Sequence, residues 1–135
     1  MIGILIVTHK ELAEALISVW DLILGRGEGV QAVSLDPNDA PEVSRQKIQR
    51  ALSQVNNGSG VIILTDMLGG TPSNQALPFL QEGKVEVITG VNLPMLIKFV
   101  SLQRSNALKD VAKKVVDQGK KNIHLVSVLL SSRTK

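Results

Sequence analysis

Two residues able to do chemistry close two apolar runs. His9 follows Ile2-Gly3-Ile4-Leu5-Ile6-Val7-Thr8, and Asp66 follows Val61-Ile62-Ile63-Leu64-Thr65. A neutral imidazole keeps one ring lone pair and can act as a nucleophile. With an unperturbed pKa near 6.5, roughly three-quarters of an ordinary histidine is neutral at pH 7. A carboxylate accepting the proton on the other ring nitrogen fixes the tautomer and steadies the cation formed on attack. A plainer reading also fits. Thr8-x-x-Glu11 matches a capping box, with His9 merely in the first helical turn. Both readings stay open on these residues alone.

The nine residues Asp66-Met67-Leu68-Gly69-Gly70-Thr71-Pro72-Ser73-Asn74 add a third element. Gly69 and Gly70 allow a tight turn and a close backbone approach. Thr71 is placed to cap a helix whose first residue, Pro72, suits that position. The open N–H groups of such a turn favour an anion, so Gly69, Gly70 and Thr71 are candidate phosphate-binding residues. A histidine, a carboxylate and an anion seat together make a phosphorylatable site without nucleotide machinery. No Gly-Lys-Ser/Thr follows the turn, which excludes a Walker P-loop. Gly25-Arg26-Gly27-Glu28-Gly29 has the wrong spacing for a dinucleotide fingerprint and follows a helix. No Gly-x-Ser-x-Gly elbow is present either.

These residues need a scaffold that brings them together. The pattern gives strands at 2–7, 29–35, 61–65 and 85–89, the first and third apolar without alternation, as in strands covered on both faces. Helices are expected between them. The first has Leu12, Leu16, Trp20 and Ile23 on its core stripe and Gly25 as its stop. The second carries Val43, Ile48, Leu52 and Val55. A third, from about Pro72 to Gln81, should kink or split at Pro78. Further helices are expected over 93–100 and 106–118, a final strand over Ile123–Leu130, and fraying over Ser131–Lys135. The fold class is α/β: one domain, residues 1–135, with an open doubly wound sheet ordered 2-1-3-4 and helices on both faces. Such sheets bind ligands at the carboxyl ends of their strands, where strand order reverses. In that order His9 and Asp66 face each other across the switch point.

Composition narrows the class. The 135 residues are 44% hydrophobic and 2% aromatic, enough for one aliphatic core and too few rings for base stacking. Net charge is +3, and the pairs Lys113-Lys114 and Lys120-Lys121 read as a solvated helix face, so no nucleic-acid partner is expected. Cysteine is absent and the two histidines are far apart, so neither a metal site nor a cofactor is expected. The apolar start is too short for a signal or membrane span, which implies a cytoplasmic protein. His124 and Trp20 read as structural residues. Asn92 and Pro94 either shape the crevice or contact a partner.

At these residues the sequence resembles the mannose-family enzyme IIA component of the phosphoenolpyruvate-dependent sugar phosphotransferase system (PTS). The family's Thr-His strand end appears as Ile6-Val7-Thr8-His9, and its Asp-x-x-Gly-Gly-Ser/Thr-Pro-x-Asn turn as Asp66 to Asn74. Its Gly-Val-Asn-x-Pro-Met-Leu segment appears as Gly90 to Leu96. The resemblance implies that His9 is phosphorylated and that Asp66 orients it. It also implies the histidine-containing phosphocarrier protein as donor, a IIB component as acceptor, and contact with a membrane only through the transporter complex. Family members form homodimers in which the last strand, here Ile123–Leu130, crosses antiparallel into the partner's sheet. Three departures stand beside the site. Lys10 replaces a frequent glycine and either alters partner contacts or helps hold phosphate. Leu68 replaces a tryptophan, and Ser73 a large side chain. A phosphotransfer subunit of a dihydroxyacetone kinase, a regulatory phosphorylatable module and a small-molecule-binding flavodoxin-like domain are the rival readings.

Overall fold

Four short strands lie parallel in the order β2-β1-β3-β4: β1 (Gly3–His9), β2 (Val30–Leu35), β3 (Val61–Thr65) and β4 (Val85–Thr89). The computed structural model describes residues 1–25 and 27–133, the side chains of residues 132 and 133 excepted. Strand residues alternate between two apolar layers. Ile4, Ile6, Ile62, Leu64 and Ile88 face α1 (Leu12–Leu24), α4 (Leu93–Leu102) and α5 (Leu108–Lys121), packing with Trp20, Leu96, Phe99, Val111 and Val115. Leu5, Val7, Val61 and Ile63 face α2 (Pro41–Val55) and α3 (Thr71–Ala76), packing with Ile48, Leu52, Val55 and Ala76. The doubly wound order and the two-faced burial are those read from the sequence.

The register fixes where the strand ends fall. His9 pairs with Leu35, and Val7 lies level with Thr65, which lies level with Thr89. The Lys10 N–H continues the ladder by donating to the Leu35 carbonyl at 3.0 Å. The Thr65 carbonyl accepts from both Gly90 (2.9 Å) and Val91 (3.0 Å), tying the exit of β4 to the end of β3. Asn92 then caps α4 by accepting from Met95 N–H, and its amide donates to the Gly119 carbonyl at the end of α5. That bond shows Asn92 shaping the turn beside the strand ends.

Several helix details differ from the sequence expectation. Thr8 does not form a capping box with Glu11. Its buried Oγ1 accepts from Ala13 N–H at 2.7 Å, fastening the strand end directly to the start of α1. Trp20 is buried, but Leu12 and Ile23 at the ends of the predicted stripe are exposed. Val43 is likewise exposed on α2. Helix α3 stops at Ala76 and a single 3-10 turn over Leu77–Phe79 carries Pro78, which lacks the N–H to continue an α-helix.

The largest correction is at the end of the chain. Ile123–Leu130 is not a fifth, antiparallel strand: residues Val126–Arg133 form α6, preceded by a segment in which His124 is exposed. A strand requires another backbone to bond to, whereas a helix satisfies its own groups. Here Val128 and Leu129 N–H both donate to the Leu125 carbonyl at 3.0 and 3.1 Å. Ile123, Leu125, Val126 and Val128 remain exposed, Leu125 at 72%. The fraying expected over Ser131–Lys135 is not seen at Ser131, which is helical; Thr134 and Lys135 lie outside the described residues.

Thr8→Val keeps the shape of a buried side chain while leaving the Ala13 N–H unpaired. It should cost about 1–3 kcal/mol in urea unfolding, the desolvation penalty of one orphaned donor. An unchanged midpoint would mean that the Thr8 bond does not hold α1 to the strand.

Candidate functional site

The two strand ends meet as the sheet order requires. His9 is the last residue of β1, and Asp66 follows the last residue of β3. Asp66 Oδ2 accepts twice from the same residue, from the His9 backbone N–H at 2.9 Å and from ring Nδ1 at 2.8 Å. Its other oxygen, Oδ1, accepts from Met67 N–H at 3.0 Å. The His9 side chain is 40% exposed and that of Asp66 13%.

Charge and tautomer follow from this geometry. Burial, the largest single influence on Asp66, pushes its pKa up. The hydrogen bonds from the His9 backbone and ring, the attraction of His9, and the Met67 N–H together outweigh burial, and the pKa ends below its ordinary 3.8. Asp66 is therefore a carboxylate at neutral pH and can only accept, so the proton of the shared bond sits on Nδ1. The lone pair is left on Nε2, on the side of the ring turned toward the glycine turn.

That turn is built around the ring. A Cβ placed on Gly70 would lie 2.7 Å from His9 Cε1 and 3.3 Å from Nε2, so only glycine permits this approach. Gly69 takes φ +89°, a left-handed conformation suited to glycine. Thr71 is exposed and does not cap α3; Gly70 holds the N-cap position. Ser73, fully buried, closes the turn instead. Its Oγ accepts from Gly69 N–H at 2.9 Å and donates to the Gly70 carbonyl at 3.0 Å. Sequence reading treated Ser73 only as a departure. The signal available was its spacing of three and four residues from the two glycines, which suits a hydroxyl closing a turn.

The remaining candidates divide clearly. Lys10, Met67 and Leu68, next in sequence to the paired residues, are exposed; Trp20 is buried in α1, and His124, expected as a structural strand residue, is exposed in the segment before α6. Among the described residues no group of three or more His, Cys, Asp or Glu comes together as a metal site would require. No described helix is long and apolar enough to cross a membrane.

A family model described as the PTS system fructose IIA component matches residues 3–116. The fructose-specific EIIA component of Bacillus subtilis is 32% identical over 112 residues, covering 82% of this chain and 77% of that protein. The chain belongs to the mannose-family enzyme IIA components of the PTS. It is therefore a phosphotransfer component of a sugar phosphotransferase system. This enzyme IIA chain is also 35% identical over 98 residues to the mannose-specific EIIAB component of Escherichia coli, a longer protein of which the match spans 30%. The crystal structure of an EIIA component from Streptococcus agalactiae superposes with a TM-score of 0.85 at 28% identity, covering 95% of this chain and 99% of the other.

Gly70→Ala should push the imidazole off Asp66 while the sheet stays folded. Long-range 1H–15N NMR would show the Nδ1–H tautomer in the parent and a mixture of tautomers in the variant. An unchanged tautomer would mean that the ring is not held by its fit against Gly70.

Proposed function

We propose that His9 Nε2 accepts a phosphoryl group from the histidine-containing phosphocarrier protein and passes it to a IIB component for sugar uptake. The observation that carries this reading is the 2.8 Å bond between Nδ1 and Asp66 Oδ2, which leaves Nε2 as the free nucleophilic nitrogen. The Nε2 lone pair attacks phosphorus and an N–P bond forms. The bond from phosphorus to the donor's nitrogen breaks, and its electron pair returns to the donor. Asp66 steadies the imidazolium charge that results, and the backbone of Gly70 and Thr71 receives the phosphoryl oxygens, with Gly69 shaping the turn through its N–H bond to Ser73 Oγ. Donation to the IIB component reverses these steps, in the cytoplasm and with no cofactor.

The test is to incubate the protein with phosphoenolpyruvate, enzyme I and the carrier protein, then weigh it. One added phosphoryl mass is expected on the parent and on His124→Ala, and none on His9→Ala. Full labelling of His9→Ala would end the proposal. Asp66→Asn loses a charge-assisted hydrogen bond, about 1.5–3 kcal/mol, so labelling should slow roughly ten- to a hundredfold. Adding candidate IIB proteins separates a transport role from a purely regulatory one.

We further propose that the chain is a homodimer in which a second copy covers the apolar end of the chain. The exposed run from Ile123 to Leu130 supports this, as does a groove of about 380 Å³ along the open edge of β4. Glu86, Val87, Ile88, Ala112, Lys113 and Val116 are among the residues lining it. Light scattering at micromolar concentration should give twice the chain mass. Leu125→Asp with Val128→Asp should give the monomer mass, and a monomeric parent would refute the dimer.

A further inference from the structure

Lys10, the residue after His9, is the one described non-glycine residue with positive φ, at +47°. Glycine takes this conformation freely, whereas a side chain there carries a steric cost that persists where the side chain has a use. The use is not structural. The ammonium has no ion pair or hydrogen bond among the described residues, although Lys47 and Lys114 pair with Asp39 and Asp110. The Lys10 backbone holds the ladder through its N–H alone, a bond that any residue but proline would make.

The charge pattern supplies the use. Four segments meet at the carboxyl ends of the strands: residues 8–11, 35–40, 65–74 and 89–94. They contain Glu11, Asp36, Asp39 and Asp66 as acids, of which Asp39 is paired with Lys47 from α2, and Lys10 is their one base besides His9. A phosphoryl group arriving there adds about −1.5 to −2 of charge beside the ionised Asp66. The turn facing Nε2 offers backbone groups and no cation.

We propose that the Lys10 ammonium contacts the phosphoryl oxygens as the group joins Nε2, offsetting the charge that Asp66 cannot. This role rests on the phosphocarrier reading of His9. It makes Lys10, next in the chain to the nucleophile, a catalytic residue of this chain's version of the site.

The test uses phosphoramidate, a donor too small to report on protein docking. Nε2 attacks its phosphorus, the P–N bond breaks, and ammonia leaves with the electron pair. Lys10→Gln and Lys10→Gly should each slow labelling of His9 roughly ten- to a hundredfold, the cost of one charged hydrogen bond. Lys10→Arg should restore most of the rate. Lys10→Gly accepts the backbone conformation without strain, so its melting midpoint, at or above that of the parent, keeps the comparison free of misfolding. Labelling of Lys10→Gln at the parental rate would overturn the proposal. So would a defect seen only with the carrier protein as donor, which would make Lys10 a docking contact, or an Arg variant as slow as Gln. A parent that neither donor labels would overturn the phosphocarrier reading itself.

Discussion

One carboxylate oxygen ties the molecule's chemistry to its fold. Asp66 Oδ2 receives the backbone and the ring of His9 together, so the end of β1 and the end of β3 are joined by the contact that also sets the imidazole's tautomer. The bond is possible only because β1 and β3 are adjacent and parallel, bringing residues 57 positions apart to the same edge. Everything around it protects that alignment. Thr8 locks the strand end to α1, and the Thr65 carbonyl gathers the exit of β4. The Ser73 hydroxyl then folds the glycine turn against the ring.

Much of this was legible in the sequence, and for a physical reason. Continuous apolar runs such as Ile62-Ile63-Leu64 can only be buried on both faces, which demands a parallel sheet with helices on each side. Once that sheet is granted, a polar residue at the end of an apolar run lands at its carboxyl edge, so His9 and Asp66 could be paired without coordinates. The close approach of Gly70 to the ring was legible as permission, since glycine admits such contacts, but its partner was not.

What escaped the sequence was decided by backbone geometry. Nothing in the letter Lys10 signals φ +47°, because side-chain type constrains that angle weakly outside Gly and Pro. Of the two readings left open at Thr8-x-x-Glu11, the capping box fails because the strand runs through His9, which moves the helix start beyond the box and gives Thr8 a different donor. The run Ile123–Leu130 has the apolar and β-branched make-up of a strand, yet secondary structure there depends on which backbone groups are within reach. Within one chain the local helical bonds win.

The position of His9 at the rim of a rigid sheet also sets a kinetic character. The imidazole stands 40% open at a strand terminus, held by the Asp66 carboxylate, while the His9 backbone is itself paired into the ladder. A nucleophile so exposed can be approached directly from solvent. In the proposed role, its turnover would be governed by how often partners collide in the right orientation. Two partners of different shape could use the same nitrogen in succession, because neither must fit inside the protein. Traffic through this component would then scale with the concentrations of its neighbours, and the carrier would act as a fixed relay post between diffusing proteins.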